Sequence, residues 1–309
     1  MKEHLARLRD PDPDVRRAAA RDLGWMGEAA ATPEVLGALV QCLREDAARV
    51  VRGVAAGALG RMEAAAARPE VLEALVQALG GDEDGWVRGA AAQALGWMGA
   101  AAATPEVVRA LIQALRKDED RDVRQDAAWA LRNMGEAAAT PEVIEALVQA
   151  LRGDEVWGVR YAAAWALREM GEAAATPEVL GALLERLQED EDKGVRWAAA
   201  GTLGKMGTAA ATPEVLEALI QALRDRDSGV RRGAAGALGD MGEAAARPEV
   251  LGALIQCLRE DEDKWVRRAA AGALGQMGEA AAQKEVLQAL LECLREDEAE
   301  GVRQEAAEA

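Results

Sequence analysis

Two residue types recur at spacings that could carry chemistry. Asp fills nine equivalent positions, Asp10, Asp46, Asp82, Asp118, Asp154, Asp190, Asp225, Asp261 and Asp297. Arg fills nine more, Arg16, Arg52, Arg88, Arg124, Arg160, Arg196, Arg231, Arg267 and Arg303. A row of carboxylates could do acid–base work, but that work needs environments that drive the carboxylate pKa values apart. Nine copies of one environment cannot. The pattern reads instead as a ladder of ion pairs, each guanidinium lying beside a loop that carries an Asp.

Other chemistry is sparse. The chain holds one His (His4), one Ser (Ser228) and one Asn (Asn133), and His4 is far from Ser228 in a linear array, so no Ser-His-acid triad is expected. Gly204-Lys205 fails as a phosphate loop, because positions 199 and 206 are Ala and Met. Cys42, Cys257 and Cys293 lie a repeat or more apart, and Ala78, Ala114, Ala150 and Ala222 fill the same place elsewhere. They read as small buried residues, not zinc ligands or disulfide partners. No catalytic residue, cofactor or metal site is assigned.

The elements that position these residues follow from a repeat. Val-Arg recurs at Val15, Val51, Val87, Val123, Val159, Val195, Val230, Val266 and Val302, every 36 residues except for one step of 35. The residue lost near Leu223–Asp225 reads as a shortened loop. Within one unit, Val159, Ala163, Leu167 and Met170 form one stripe of a first helix. Gly171 ends it. Thr176-Pro177-Glu178 then supplies an N-cap, a first-turn Pro and an acid at the positive end of the dipole, so a second helix starts there. Thr32, Thr104, Thr140 and Thr212 repeat that cap, whereas Arg68, Arg247 and Gln283 replace it and predict weaker starts. The count is eighteen helices, with a leading half-repeat at 1–9, repeats over 10–296 and a truncated, polar capping helix at 297–309. Neither helix of a pair can bury its apolar face alone, so the pairs stack into one solenoid over 1–309.

The recurring VRxxAAxALGxMG, the amphipathic second helix and the Asp-rich loop resemble the HEAT-like repeat of the phycobilisome-lyase type. The pattern is also similar to artificial alpha-helical repeat binders and to the sensor arrays of bacterial NACHT-type signalling ATPases. The resemblance implies an all-α, right-handed α-solenoid of about nine two-helix repeats, with the first helix on the concave side and the Arg–Asp pair structural. Its GEAAATP connection is longer than that of the artificial repeats. Relatives of the type include bilin lyases and base-excision glycosylases, so an enzyme of either kind is the alternative to a binding module, and a purely structural array is a third reading. A near-constant framework with scattered variation fits an engineered library, a consensus design and a recently duplicated gene alike.

Lys and Arg total 37 and Asp and Glu 54, a net charge of -17. Such a chain repels phosphate backbones and anionic lipid, so neither nucleic acid nor membrane is an expected partner. No apolar run approaches the ~18 residues of a membrane span, and Met1–Leu5 opens no apolar signal core, so the expected location is the cytoplasm. The polar last unit disfavours open polymers and predicts a monomer.

Variation is confined to one face. Counted from each Val, positions -2, -1, +2, +3, +6 and +10 vary freely, and on a helical wheel they lie opposite the apolar stripe. Every aromatic residue is among them: Trp25, Trp86, Trp97, Trp129, Trp157, Tyr161, Trp165, Trp197 and Trp265. Core rings would sit on the stripe, and surface faces avoid Trp, so this face reads as a contact surface anchored by Trp, Tyr and Arg. Rings that cover gaps between neighbouring helices are the plain structural alternative. Without the last unit the face has ten basic and five acidic side chains, so it should attract what the rest repels. Its glycines look like a by-product of diversification, or flat ground for close approach of a partner.

The expected partner is a protein or peptide on the concave face. Lateral alignment sets Trp129 beside Trp165 and Tyr161 beside Trp197, with Trp157 on the helix of Tyr161. These five, flanked by Arg121 and Lys193, are the predicted hot spot, and Trp86, Trp97, Arg232 and Arg268 extend it.

Overall fold

The computed structural model describes residues 1–309 and is helical without strands. The second-type helices are α1 (Lys2–Arg7), α3 (Pro33–Glu45), α5 (Pro69–Gly81), α7 (Pro105–Lys117), α9 (Pro141–Gly153), α11 (Pro177–Glu189), α13 (Pro213–Ala222), α15 (Pro248–Glu260) and α17 (Lys284–Glu296). The first-type helices are α2 (Pro13–Trp25), α4 (Arg49–Gly60), α6 (Gly85–Trp97), α8 (Arg121–Met134), α10 (Trp157–Met170), α12 (Lys193–Lys205), α14 (Ser228–Asp240), α16 (Lys264–Gln276) and α18 (Glu300–Glu308). Packing divides the chain into two compact units, Met1–Ala150 and Leu151–Ala309. Inside each, first helices stack on first helices and second on second, the layered arrangement of an α-solenoid.

The apolar stripe is buried as its periodicity requires: Val159, Ala163, Leu167 and Met170 are fully buried, as are their counterparts Val195, Leu203 and Met206. Thr32, Thr104, Thr176 and Thr212 each accept a hydrogen bond from a backbone N–H three residues on, whereas Arg68, Arg247 and Gln283 make no such cap. The one-residue deletion falls in a helix, not a loop. α13 stops at Ala222 after 10 residues where its neighbours α11 and α15 run for 13. On α17, Leu287 is half exposed, although the equivalent Leu251 is buried.

Asp also caps the first helices, a signal the repeat reading passed over. Asp12, Asp84, Asp120, Asp192, Asp227 and Asp263 stand three residues before the repeat Val, and each accepts a backbone N–H of the first turn.

The Arg–Asp ladder is present. Arg160 donates from Nε and Nη2 to the two carboxylate oxygens of Asp190, at 2.7 and 2.8 Å, and from Nη1 to the Asp154 carbonyl at 2.9 Å. The same fork joins Arg16 to Asp46, Arg52 to Asp82, Arg88 to Asp118, Arg196 to Asp225, Arg231 to Asp261 and Arg267 to Asp297. Each Arg so ties its own incoming loop to the loop of the next repeat.

One connection is strained. Seven repeats place Gly after the first helix at φ between 56° and 59°, for example Gly135 and Gly171, but the second repeat has Glu63 there at φ 49°. A side chain in that region costs about 1–3 kcal/mol. Glu63→Gly is therefore expected to stabilise the fold by about 1–2 kcal/mol in urea unfolding. Glu63→Ala should gain little, because Ala keeps the Cβ; equal gains from both would contradict the backbone explanation.

Candidate functional site

Trp157, Tyr161 and Trp165 follow one another at four-residue spacing, so α10 carries them on a single stripe. Trp197 comes from α12. Tyr161 stacks on Trp197 with centroids 6.5 Å apart and planes 19° from parallel. Trp165 meets Trp197 at 5.6 Å and Tyr161 at 6.1 Å, and Trp157 stands edge-on to Tyr161 at 6.3 Å. These offset and tilted geometries are those aromatic pairs prefer. Four of the five predicted hot-spot rings thus form one cluster in the unit Leu151–Ala309. Trp157 is 55% exposed, and the other three are half-buried.

The cluster is both packing and surface. The Trp197 ring reaches sideways over α14, where a Cβ on Gly233 would come within 2.7 Å of it. Trp86 covers Gly53 on α4 in the same way. These two glycines make room for rings, which corrects their reading as a by-product of variation. Gly57, Gly201 and Gly236 have open space where a Cβ would point.

A ninth position after the repeat Val carries a signal that the variable set left out. Gly24, Gly60, Gly96, Gly204, Gly239 and Gly275 occupy it, and a Cβ on Gly96 or Gly204 would lie 2.8 or 2.6 Å from an Ala Cα of the next first helix. Repeats four and five place Arg132 and Arg168 there instead. Arg168 lies 4.4 Å over the Trp165 ring and Arg132 5.0 Å over Trp129. The shared Trp-Ala-Leu-Arg of both repeats is the signal that reveals the pairing. The Thr202 hydroxyl, where most other repeats have Ala and the first has Asp22, shares its hydrogen between the Ala164 and Ala198 carbonyls, at 3.0 and 2.8 Å.

The remaining predicted residues are distributed over both units. Trp129 lies half-buried on α8 in Met1–Ala150. In that unit Trp86 and Trp97 are exposed on α6, and Arg61 stacks 4.0 Å from Trp25 and 5.8 Å from Trp97. Arg121 starts α8 beside Asp122 at 3.8 Å. Lys193, Arg268 and Arg232 lie on α12, α16 and α14.

The charge count needs correction. Lys193 is held by Asp227 at 3.0 Å, Arg49 by Asp84 at 2.7 Å and Arg268 by Glu305 at 2.9 Å. Asp84 and Asp227 are the N-caps of the following first helices and lie outside the six variable positions, which is why a count over those positions overstated the free positive charge. Arg232 and Lys205 are exposed and make no ion pair.

In Met1–Ala150 a cleft of about 340 Å³ lies among Trp86, Gly89, Gln93, Asp120, Asp122 and Asp126. Asp126 accepts from Gln93 Nε2 at 3.0 Å, and burial, with repulsion from Asp122 and Asp120, pushes its carboxyl up to about 6. The folded chain therefore holds this proton more tightly than the unfolded chain. The ionised form costs the fold nothing below about pH 4 and its full amount above about pH 6. Asp126→Asn is expected to add about 1–2 kcal/mol at pH 7.5, discounted for partial solvent access, and nothing at pH 4. Urea unfolding at both pH values checks it; a gain of the same size at pH 4 would contradict it.

A sequence profile described as HEAT repeats matches residues 2–60, 36–132, 108–185, 144–219, 180–251 and 216–309. The chain belongs to the HEAT repeat family. No curated protein matches it. Among solved structures, an engineered protein is 24% identical with a TM-score of 0.63, over 100% of this chain and 87% of that one. Importin beta is 19% identical with a TM-score of 0.68, over 99% of this HEAT repeat chain and 44% of its own. Kap95p, whose binding is described as inducing the switch loops of RanGDP to adopt the GTP-bound conformation, is 16% identical with a TM-score of 0.65, over 99% of this chain and 44% of its own. These likenesses show the shared fold. No helix is long and apolar enough to cross a membrane.

Proposed function

We propose that the protein is a non-enzymatic scaffold that binds a protein or peptide on the first-helix face, centred on Trp157, Tyr161, Trp165 and Trp197. The observation that carries this reading is the interlocked ring cluster, built at positions where the repeat holds no residue type constant. A scaffold that needed only to fold could use Ala or polar residues there, as several of its own repeats do. Large rings with few rotatable bonds give contact area at little entropic cost, which makes them effective anchors. Kap95p, of the same fold, binds RanGDP, which supports a protein partner here.

Selection of displayed peptides on the whole chain tests the reading. Binders are expected to be enriched on the wild type and lost in counter-selection on Trp157→Ala/Trp197→Ala. Binders that hold both chains equally would overturn it.

A further inference from the structure

The first and second helices of Leu151–Ala309 carry opposite charge. The first helices α10, α12, α14 and α16 together hold ten Lys or Arg and two Asp or Glu, and the last first helix, α18, adds one Arg and three Glu, whereas α11, α13, α15 and α17 hold four and ten. Four of the ten bases are the ladder arginines Arg160, Arg196, Arg231 and Arg267, each already on an Asp. Lys193 and Arg268 are tied to Asp227 and Glu305, Arg168 stacks on Trp165, and Lys264 lies 5.3 Å over Trp265. That leaves Arg232 and Lys205, exposed and uncommitted, Lys205 on α12 with Trp197 and Arg232 on the neighbouring α14. The acids on α10, α12, α14 and α16 are Glu169 and the exposed Asp240.

Gly201 stands four residues from both Trp197 and Lys205 on α12, and Gly236 four residues after Arg232 on α14, each with no atom within 4 Å of where a Cβ would stand. The surface so combines an aromatic wall (Trp165, Trp197), an open floor and two free cations, in a chain whose net charge of -17 repels anions elsewhere.

Resting on the binding function proposed above, we infer that the ligand of this surface is an acidic peptide segment bearing an aromatic or large aliphatic anchor. The anchor packs against Trp165 and Trp197, and carboxylates beside it reach Arg232 and Lys205. Stacked rings and cations also suit single-stranded nucleic acid. Two free cations in a strongly acidic chain give a phosphate backbone no continuous basic track, so the acidic peptide is favoured.

Fluorescence anisotropy on the full chain tests this with three labelled 12-residue peptides that share one Trp and one Leu and are otherwise rich in Glu, Ser or Lys, and with a 12-nucleotide single-stranded DNA. The Glu peptide is expected to bind at least tenfold tighter than the Ser peptide, with the Lys peptide and DNA weaker still. Arg232→Glu/Lys205→Glu should lower Glu-peptide affinity at least tenfold without loss of helicity, and Arg232→Ala/Lys205→Ala severalfold. Equal or tighter binding of the Ser peptide, the Lys peptide or the DNA, or no effect of the charge variants, overturns the acidic-ligand inference and leaves the binding face standing. Peptide binding that is indifferent to Trp157→Ala/Trp197→Ala, or no binding by any peptide, overturns both.

Discussion

Replacing Asp190 with Ala is expected to cost about 3–5 kcal/mol of stability. The Asp190 side chain is fully buried, takes both nitrogens of the Arg160 fork, accepts the Asp192 N–H at 3.0 Å, and has Arg186 at 3.5 Å. Burial alone would push its carboxyl up. The Arg160 fork and the Asp192 N–H outweigh burial and hold it below the ordinary carboxylate range. Removal of the carboxylate leaves the Arg160 guanidinium, itself 6% exposed, without its counter-charge.

A buried pair is costly to break but not necessarily favourable to have, because both ions lose water. Arg160→Met/Asp190→Leu should therefore recover most of the single-variant loss in urea unfolding. The pH dependence follows from the lowered pKa. The folded chain binds the Asp190 proton less tightly than the unfolded chain, so the contribution is complete above the ordinary carboxylate range and lost as pH falls through the lower folded value. A single variant within about 1 kcal/mol of wild type would mean that the ladder is only decoration on helix packing.

The fold was legible because each repeat restates it. Val, Ala, Leu and Met at helical spacing mark the buried stripe, Thr-Pro-Glu marks each second helix, and Arg with Asp at constant offsets marks the ladder. The site was legible only in part. A wheel drawn for one helix separates inner from outer faces, and so found the rings. It cannot show which neighbouring helix a ring leans over, and so missed Trp197 on Gly233 and Trp86 on Gly53. It likewise left Arg49 and Lys193 as free charges, because their partners Asp84 and Asp227 are caps on the following helix. Arg132 and Arg168 were hidden for a different reason. Their position is Gly in six repeats, where close helix approach fixes it, and the two departures matter only beside the Trp three residues before them.

The second large effect concerns binding. Trp165 and Trp197 pack against each other and against Tyr161 in the ring cluster, and partly desolvated aromatic anchors can contribute about 2 kcal/mol or more each to an interface, which is roughly 30-fold per ring. Because they are in contact, their losses should not simply add. Trp157 is largely exposed and can be removed with little disturbance of packing, which separates loss of contact from loss of fold.

The most direct test is isothermal titration of a peptide selected on the wild-type chain against Trp165→Ala/Trp197→Ala, with helicity and thermal unfolding recorded in parallel. The predicted result is a loss of affinity of about a hundredfold or more while the helical signal stays intact. Affinity within threefold of wild type, with the rings gone and the helices in place, would contradict the account.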